Sequence, residues 1–333
     1  MSITHATVHR IRRSTDSEAE MSLRQQELAT EESCEALLDS LKSAFLGRIS
    51  REHGSFSTEE ESAPLPRQLT DFVNEERAFG ELTATLMEDL RRHLDSGKVE
   101  LNAHCLFFVE KTPVRHLFYW FVASQKEALS IGDDLEVTPS YSLDTGPSLF
   151  GIKVDLAEWK VRQHYSYLTL LPPRGNPGLT DAFHALTGFA NGLDKAGATL
   201  AFLEGVEAYS EKLPEEQVGE YRNQVVEYCL ERDQQDAPVD LKELAQTLDG
   251  VDHDEFVQVV ERRAPEGEQE LMMDRRSLRR YVKFAGREKD LAISFGSYQL
   301  NQRVHYDSDT DTLSINGLPS ALRKQLLEHL RRD

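Results

Sequence analysis

Residues 101–123, LNAHCLFFVEKTPVRHLFYWFVA, decide the fold. Leu101 to Val109 and Leu117 to Ala123 are continuous apolar runs on either side of Thr112-Pro113. Aromatic and β-branched side chains favour a pleated surface, and a proline after a threonine favours a turn. The stretch therefore predicts two paired strands. Strict alternation would leave one face to water, so unbroken apolar runs predict a sheet buried on both faces.

The cover for that sheet is sought in the flanking segments. Thr30 is placed to cap a helix, with Glu31 and Glu32 favourable against its dipole and Leu37, Leu38, Leu41, Ala44 and Phe45 along one face. Gly54 to Pro66 reads as a loop. Asp71 to Leu94 reads as a second long helix with Phe72, Phe79, Leu82, Leu86, Leu90 and Leu94 as its stripe. Residues 3–12 alternate like a strand, Ser14 to Glu20 is a polar turn, and Met21 to Leu28 reads as a returning strand. Beyond the decisive stretch, Val137 to Tyr141, Leu149 to Val154 and Tyr165 to Leu170 are further strands, ended by Pro172-Pro173-Arg174-Gly175. The fold class is α+β. Its first domain, residues 1–175, is an antiparallel sheet with flanking helices.

Residues 176–274 form an acidic helical region, with Thr180 and Asp240 as caps and Pro214 at a helix start. Glu204 to Asp274 holds 21 Asp/Glu against 6 Lys/Arg, a net −15. Then the sign reverses. Arg275, Arg276, Arg279, Arg280, Lys283, Arg287 and Lys289 face only Glu288, seven positives less one negative, or +6. Asp274 caps a helix over 275–283 whose cations occupy an arc of about 140°, with Leu278, Tyr281 and Val282 on the other side. A rigid basic stripe suits phosphates, which favour several simultaneous Lys/Arg contacts. The competing reading is a solvated face, or one paired with the acidic region of the same molecule.

Three strands follow, 291–295, 303–306 and 312–315. A final helix from Pro319 to Arg332 points Leu322, Leu326, Leu327 and Leu330 inward, with Arg323, Lys324, Arg331 and Arg332 outward. Residues 275–333 thus read as a small basic helix–three-strand–helix unit. Asp307, Asp309 and Asp311 have the early spacing of a calcium loop. Thr312 and Leu318 stand where its glycine and glutamate belong, so a plain turn is expected.

A chain of 333 residues has room for two compact domains at roughly 150 residues each. Its net charge of −20 rules out most of the surface lying along a phosphate backbone, so any nucleic-acid contact is local. Cys34, Cys105 and Cys229 are far apart and lie in apolar or amphipathic runs. They predict reduced core thiols, without metal or disulfide. No run approaches the roughly 18 apolar residues of a membrane helix, and Met1 to Arg13 lacks the apolar segment of a signal peptide. A cytoplasmic protein is expected. No glycine-rich phosphate loop, H-E-x-x-H or G-x-S-x-G is present. His104, His116, His164 and His305 have no spacing that assembles them. No catalytic residue, metal or cofactor is expected.

The runs Asp274-Arg275-Arg276-Ser277-Leu278-Arg279, Lys283-Phe284-Ala285-Gly286, Leu291-Ala292-Ile293-Ser294-Phe295 and Asp309-Thr310-Asp311-Thr312-Leu313-Ser314-Ile315-Asn316-Gly317-Leu318-Pro319 resemble the nucleoid-associated family of the YejK/NdpA type. So do Val154-Asp155-Leu156-Ala157-Glu158-Trp159 and Tyr167-Leu168-Thr169-Leu170-Leu171. The chain departs from the family pattern at Arg287-Glu288-Lys289-Asp290, which replaces a glycine-rich turn. The resemblance implies a bacterial protein of the nucleoid that binds double-stranded DNA, with type II topoisomerases as partners. It brings no assigned catalytic or base-reading residue. The seven cations above are the expected DNA contacts, largely without sequence specificity. The alternative is an adaptor that meets a DNA-processing enzyme through the acidic helices. A homodimer is expected, because two weak basic patches on one particle raise effective concentration on a DNA lattice.

Overall fold

The two apolar runs form β4 (Leu101–Lys111) and β5 (His116–Ala123), antiparallel, with Cys105 opposite Val122 and Phe107 opposite Trp120. The structure, a computed structural model, describes residues 2–57, 63–112, 115–131, 133–161, 167–263, 271–296, 299–300 and 303–330. The chain divides into two units, residues 1–193 and 194–333.

In the first unit, β4 and β5 are inner strands of an eight-stranded antiparallel sheet. On one side of them lie β1 (Ser2–Arg13) and β2 (Glu20–Ser22). On the other lie β8 (Phe150–Asp155), β9 (Leu168–Leu171), β3 (Glu52–Phe56) and β10 (Phe189–Asn191). Alternate side chains serve two cores. Phe107, Val109, Phe118, Trp120 and Val122 pack with α2 (Pro64–Val73), α3 (Phe79–Gly97) and α5 (Pro177–Thr187). Leu106, Phe108, Tyr119 and Phe121 pack with α1 (Glu32–Leu46) through Cys34, Leu38, Leu41 and Phe45. The sheet is buried on both faces by helices, as the unbroken runs predict. Glu110, buried among them, is held by the Lys42 ammonium at 2.8 Å and the Tyr119 hydroxyl at 3.3 Å.

Several local expectations are corrected. The expected loop at 54–66 overlaps the end of β3 and the start of α2. Gly54 explains the missed strand, because a Cβ there would lie 2.1 Å from the Ala190 carbonyl oxygen, and only glycine admits that approach. The expected long helix at 71–94 is two helices, broken where Glu75 takes a left-handed conformation (φ 61°). The expected strand from Met21 stops at Ser22, and Glu31 rather than Thr30 precedes α1. Asn176, not Thr180, caps α5, accepting from the Leu179 amide at 3.1 Å, with Pro177 supplying a preset φ. Of the strand expected at 165–170, Tyr165 and Ser166 lie outside the described residues, and β9 begins at Leu168.

Where the second strand fails to continue, side chains hold the chain to β1. His9 Nδ1 accepts the Arg24 backbone N–H at 3.1 Å, so its Nε2 carries the proton and donates to Thr83 Oγ1 at 3.0 Å. Thr83 in turn donates to the Gly80 carbonyl at 3.2 Å. Protonating Nδ1 would break the first link, and burial lowers the His9 pKa from 6.5 to about 4. The unfolded histidine gains its proton near 6.5 while the folded one stays neutral. Stability is therefore full above pH 6.5 and is lost as pH falls toward 4, by about 3 kcal/mol from this group. Urea unfolding of wild type and His9→Asn at pH 7 and pH 4.5 checks this. The variant should be less stable at pH 7 and lose less on acidification; equal pH dependence would refute it.

The second unit packs α6 (Lys195–Ser210), α7 (Glu215–Gln234), α8 (Leu241–Thr247), α9 (His253–Glu261) and α10 (Arg275–Val282) around Phe202, Val206, Tyr221, Val225, Phe256, Val260 and Leu278. Pro214 stands just before α7, and the Asp240 carboxylate caps α8 through the Lys242 and Glu243 amides. After α10 the described strands number four rather than three, in two hairpins: β11 (Lys283–Glu288) with β12 (Leu291–Gly296), and β13 (Val304–Asp307) with β14 (Thr312–Ile315). The Asp307 carboxylate is taken up by the Asp309 amide at 2.9 Å and the Thr310 hydroxyl at 2.7 Å, the bonding of a turn. The final helix, α11 (Ser320–Leu330), departs from expectation. Leu322, Leu326, Leu327 and Leu330 are 43–70% exposed, not packed inward.

Candidate nucleic-acid interface

Helix α10 is short, so its orientation depends on its ends and its anchor. The Asp274 carboxylate accepts the Ser277 amide at 2.8 Å, and the Asp274 amide donates to Thr199 Oγ1 at 2.8 Å. Leu278 is fully buried, and Tyr281 and Val282 pack at the core's edge. The Tyr281 hydroxyl donates to Glu207 at 2.6 Å, and the same carboxylate receives Arg222. Burial, then that bond to Glu207, raises the Tyr281 pKa, so the phenol stays protonated as a donor. The helix is fixed at its start, middle and end.

Its basic side chains divide into two kinds. Arg275, 9% exposed, points inward, where Nε donates to Asp233 Oδ2 at 2.7 Å and Nη2 forms an ion pair with the same carboxylate. The outward stripe read from the helical wheel is thus shorter by one residue. Arg276, Arg279 and Arg280 are exposed, on an arc of about 100°. Among the described residues none of the three has a carboxylate partner within 4.0 Å. The acidic region therefore neutralises Arg275 and leaves the next three cations to solvent.

The remaining expected contacts lie beyond the helix, on the β11–β12 ribbon. Lys283 is the exposed first residue of β11, opposite Gly296. Arg287 pairs with Ala292 through the backbone; its side chain lies outside the described residues. Lys289 is exposed in the tight turn, with φ 39°, a left-handed backbone that glycine adopts at least cost. Phe284 and Phe295 face each other across the ribbon with centroids 5.4 Å apart. β11 was not legible in the sequence because Phe284 is its only large apolar residue and Lys283 continues the helical spacing of Arg275 and Arg279.

Other cations are placed differently. Arg10 and Arg12 are exposed on β1, whereas Arg13 is buried with Nε 3.3 Å from Asp95. Of the four histidines, His104 and His116 stand at opposite ends of the β4–β5 pair, His305 is on β13 of the second unit, and His164 lies outside the described residues. Cys34, Cys105 and Cys229 are buried thiols, and burial raises the pKa of each. Among the described residues no cluster of His, Cys, Asp or Glu could hold a metal, and no helix is long and apolar enough to cross a membrane.

The acidic helices present a contrasting surface. Glu216, Glu220, Glu227 and Glu231 are exposed on α7, and Glu243, Asp254 and Glu255 on the two helices that follow.

Comparison with known proteins gives a consistent result over nearly the whole chain. Residues 7–323 match the family model of nucleoid-associated protein YejK. A nucleoid-associated protein of Pseudomonas putida (strain GB-1) is 29% identical over 98% of both chains. One of Pseudomonas entomophila (strain L48) is 28% identical over 98% of both. One of Pseudomonas aeruginosa (strain UCBPP-PA14) is 27% identical over 98% of this chain and 97% of its own.

Proposed function

Because the chain belongs to the YejK family of nucleoid-associated proteins, we propose that it binds double-stranded DNA through phosphate contacts of Arg276, Arg279 and Arg280, extended by Lys283 and Lys289. It works at the nucleoid, in the cytoplasm, as a homodimer without catalytic activity. The observation that carries this reading is the set of three exposed, unpartnered guanidinium groups on a helix fixed at both ends. Holding cations in solvent without a partner, on a chain of net charge −20, suits an anionic ligand. Arg287 remains in the proposed surface by its place on the ribbon. Arg275 contributes by supporting the helix.

Phosphate contacts fix position without reading bases. Affinity should then vary little among duplexes of different sequence and fall steeply with salt. A logarithmic slope of about −0.9 per phosphate neutralised predicts a slope between about −2.7 and about −5.4 for three to six contacts. Fluorescence anisotropy with several duplexes, titrated from low to high salt, measures it. Failure to bind bare duplex at low salt would defeat the reading.

The second reading is an adaptor, favoured by the exposed carboxylates of α7 and the helices after it. A type II topoisomerase is the DNA-processing partner proposed for this face, whose charge complements a basic, DNA-handling surface. Binding to duplex only when that enzyme is present would support the adaptor over direct contact.

A further inference from the structure

The hairpin of β6 (Gln125–Ile131) and β7 (Val137–Leu143) stands apart from the eight-stranded sheet, and among the described residues its strands pair only with each other. Its register sorts the side chains cleanly. Leu129 faces Pro139, Ile131 faces Val137, and Glu127 faces Tyr141 on one side. The other side carries Lys126, Ala128, Ser130, Thr138, Ser140 and Ser142, with Ser130 and Thr138 hydroxyls 3.2 Å apart. Leu129, Ile131, Val137 and Tyr141 are 73, 71, 59 and 65% exposed, and Leu135 at the tip is 82% exposed. A two-stranded hairpin with nothing against it is marginal in water and needs a third layer over its apolar face.

We propose that this layer is the same hairpin of a second copy of the chain, the two apolar faces stacked about a twofold axis. The assignment rests on the homodimer proposed above and names its surface. The area fits: the five side chains expose on the order of 600 Å², the upper limit of what monomers leave bare and most of the roughly 800 Å² each partner buries in a stable complex. An isologous contact needs a self-complementary patch, and the centre of this one is uncharged, with Tyr141 as an aromatic anchor. Charge sets the direction. Asp133, Asp134 and Glu136 make the tip acidic, while Lys126 and Arg48 lie at the root near Asp144. Antiparallel stacking separates the two acidic tips, which parallel stacking would set against each other. Leu143 joins the core beneath α1, so the apolar strip runs without a break from that core onto the arm.

Sedimentation of the full chain at micromolar concentration tests the assignment. Wild type should be a dimer. Leu129→Lys/Ile131→Lys should weaken dimerisation at least about 100-fold, since facing lysines would be buried together. Ala128→Lys places the same charge on the opposite face of the same hairpin and should remain dimeric. All three should give the same far-UV circular dichroism at 25 °C, because no hairpin side chain substituted belongs to a core. A monomeric wild type would remove the homodimer and this surface together. A dimer that survives Leu129→Lys/Ile131→Lys, or that Ala128→Lys also dissociates, would overturn the surface alone. The uncovered leucines of α11 would then be the next to substitute.

Discussion

Arg275→Ala is expected to destabilise the second unit by about 3–5 kcal/mol, the range for breaking a buried ion pair and leaving one charge inside. The side chains of Arg275 and Asp233 are 9% and 6% exposed, so solvent screens little of this loss. Arg276→Ala, one residue along, should stay within about 0.5 kcal/mol of wild type, as surface substitutions usually do. Urea unfolding followed by circular dichroism reads the difference. Replacing both members by apolar residues, Arg275→Met with Asp233→Leu, should recover much of the stability, because no charge is then stranded. A loss under 1 kcal/mol for Arg275→Ala would mean that Asp233 is readily resolvated and the pair does not hold the helix.

Arg276→Ala/Arg279→Ala/Arg280→Ala should have the opposite profile, with an ordinary fold and poor binding. If each guanidinium neutralises one phosphate, the salt slope becomes shallower by about 2.7, at 0.9 per contact. At 0.1 M salt that corresponds to roughly two to three orders of magnitude in affinity, lost about equally on every duplex. Glu216→Lys/Glu220→Lys on α7 should bind no worse than wild type. An unchanged slope in the folded triple variant would move the contact elsewhere, first to exposed Arg10 and Arg12 on β1.

The different destinies of Arg275 and Arg276 show how far the sequence could be read. On the helical wheel Arg275 lies about 20° from Val282 and Arg276 about 100° beyond it, so Arg275 sits at the border of the apolar face. Which side it joins depends on Asp233, 42 residues earlier, and no periodicity carries that information. The central strands were legible because each residue of Phe107 to Val109 and Phe118 to Val122 is itself apolar. β3 was not, since its pairing is made by backbone around Gly54. β7 was legible in Val137 to Tyr141, its Pro139 admissible because the strand is an edge, whereas β6 was not, since Lys126 and Glu127 open it and only Leu129 and Ile131 carry its apolar alternation. The α11 leucines read as core because helical periodicity reports that a face is apolar, not that anything covers it.

Strand order also sets a timetable for synthesis. β1 leaves the ribosome first, yet its partner β4 does not exist until residues 101–111 have been made. The far edge closes last, when β10 at 189–191 joins β3. The eight strands cannot zip from one end as they emerge. The nascent first unit must keep its apolar segments from aggregating until most of its length is complete, and pairings of such long sequence separation make its folding slow.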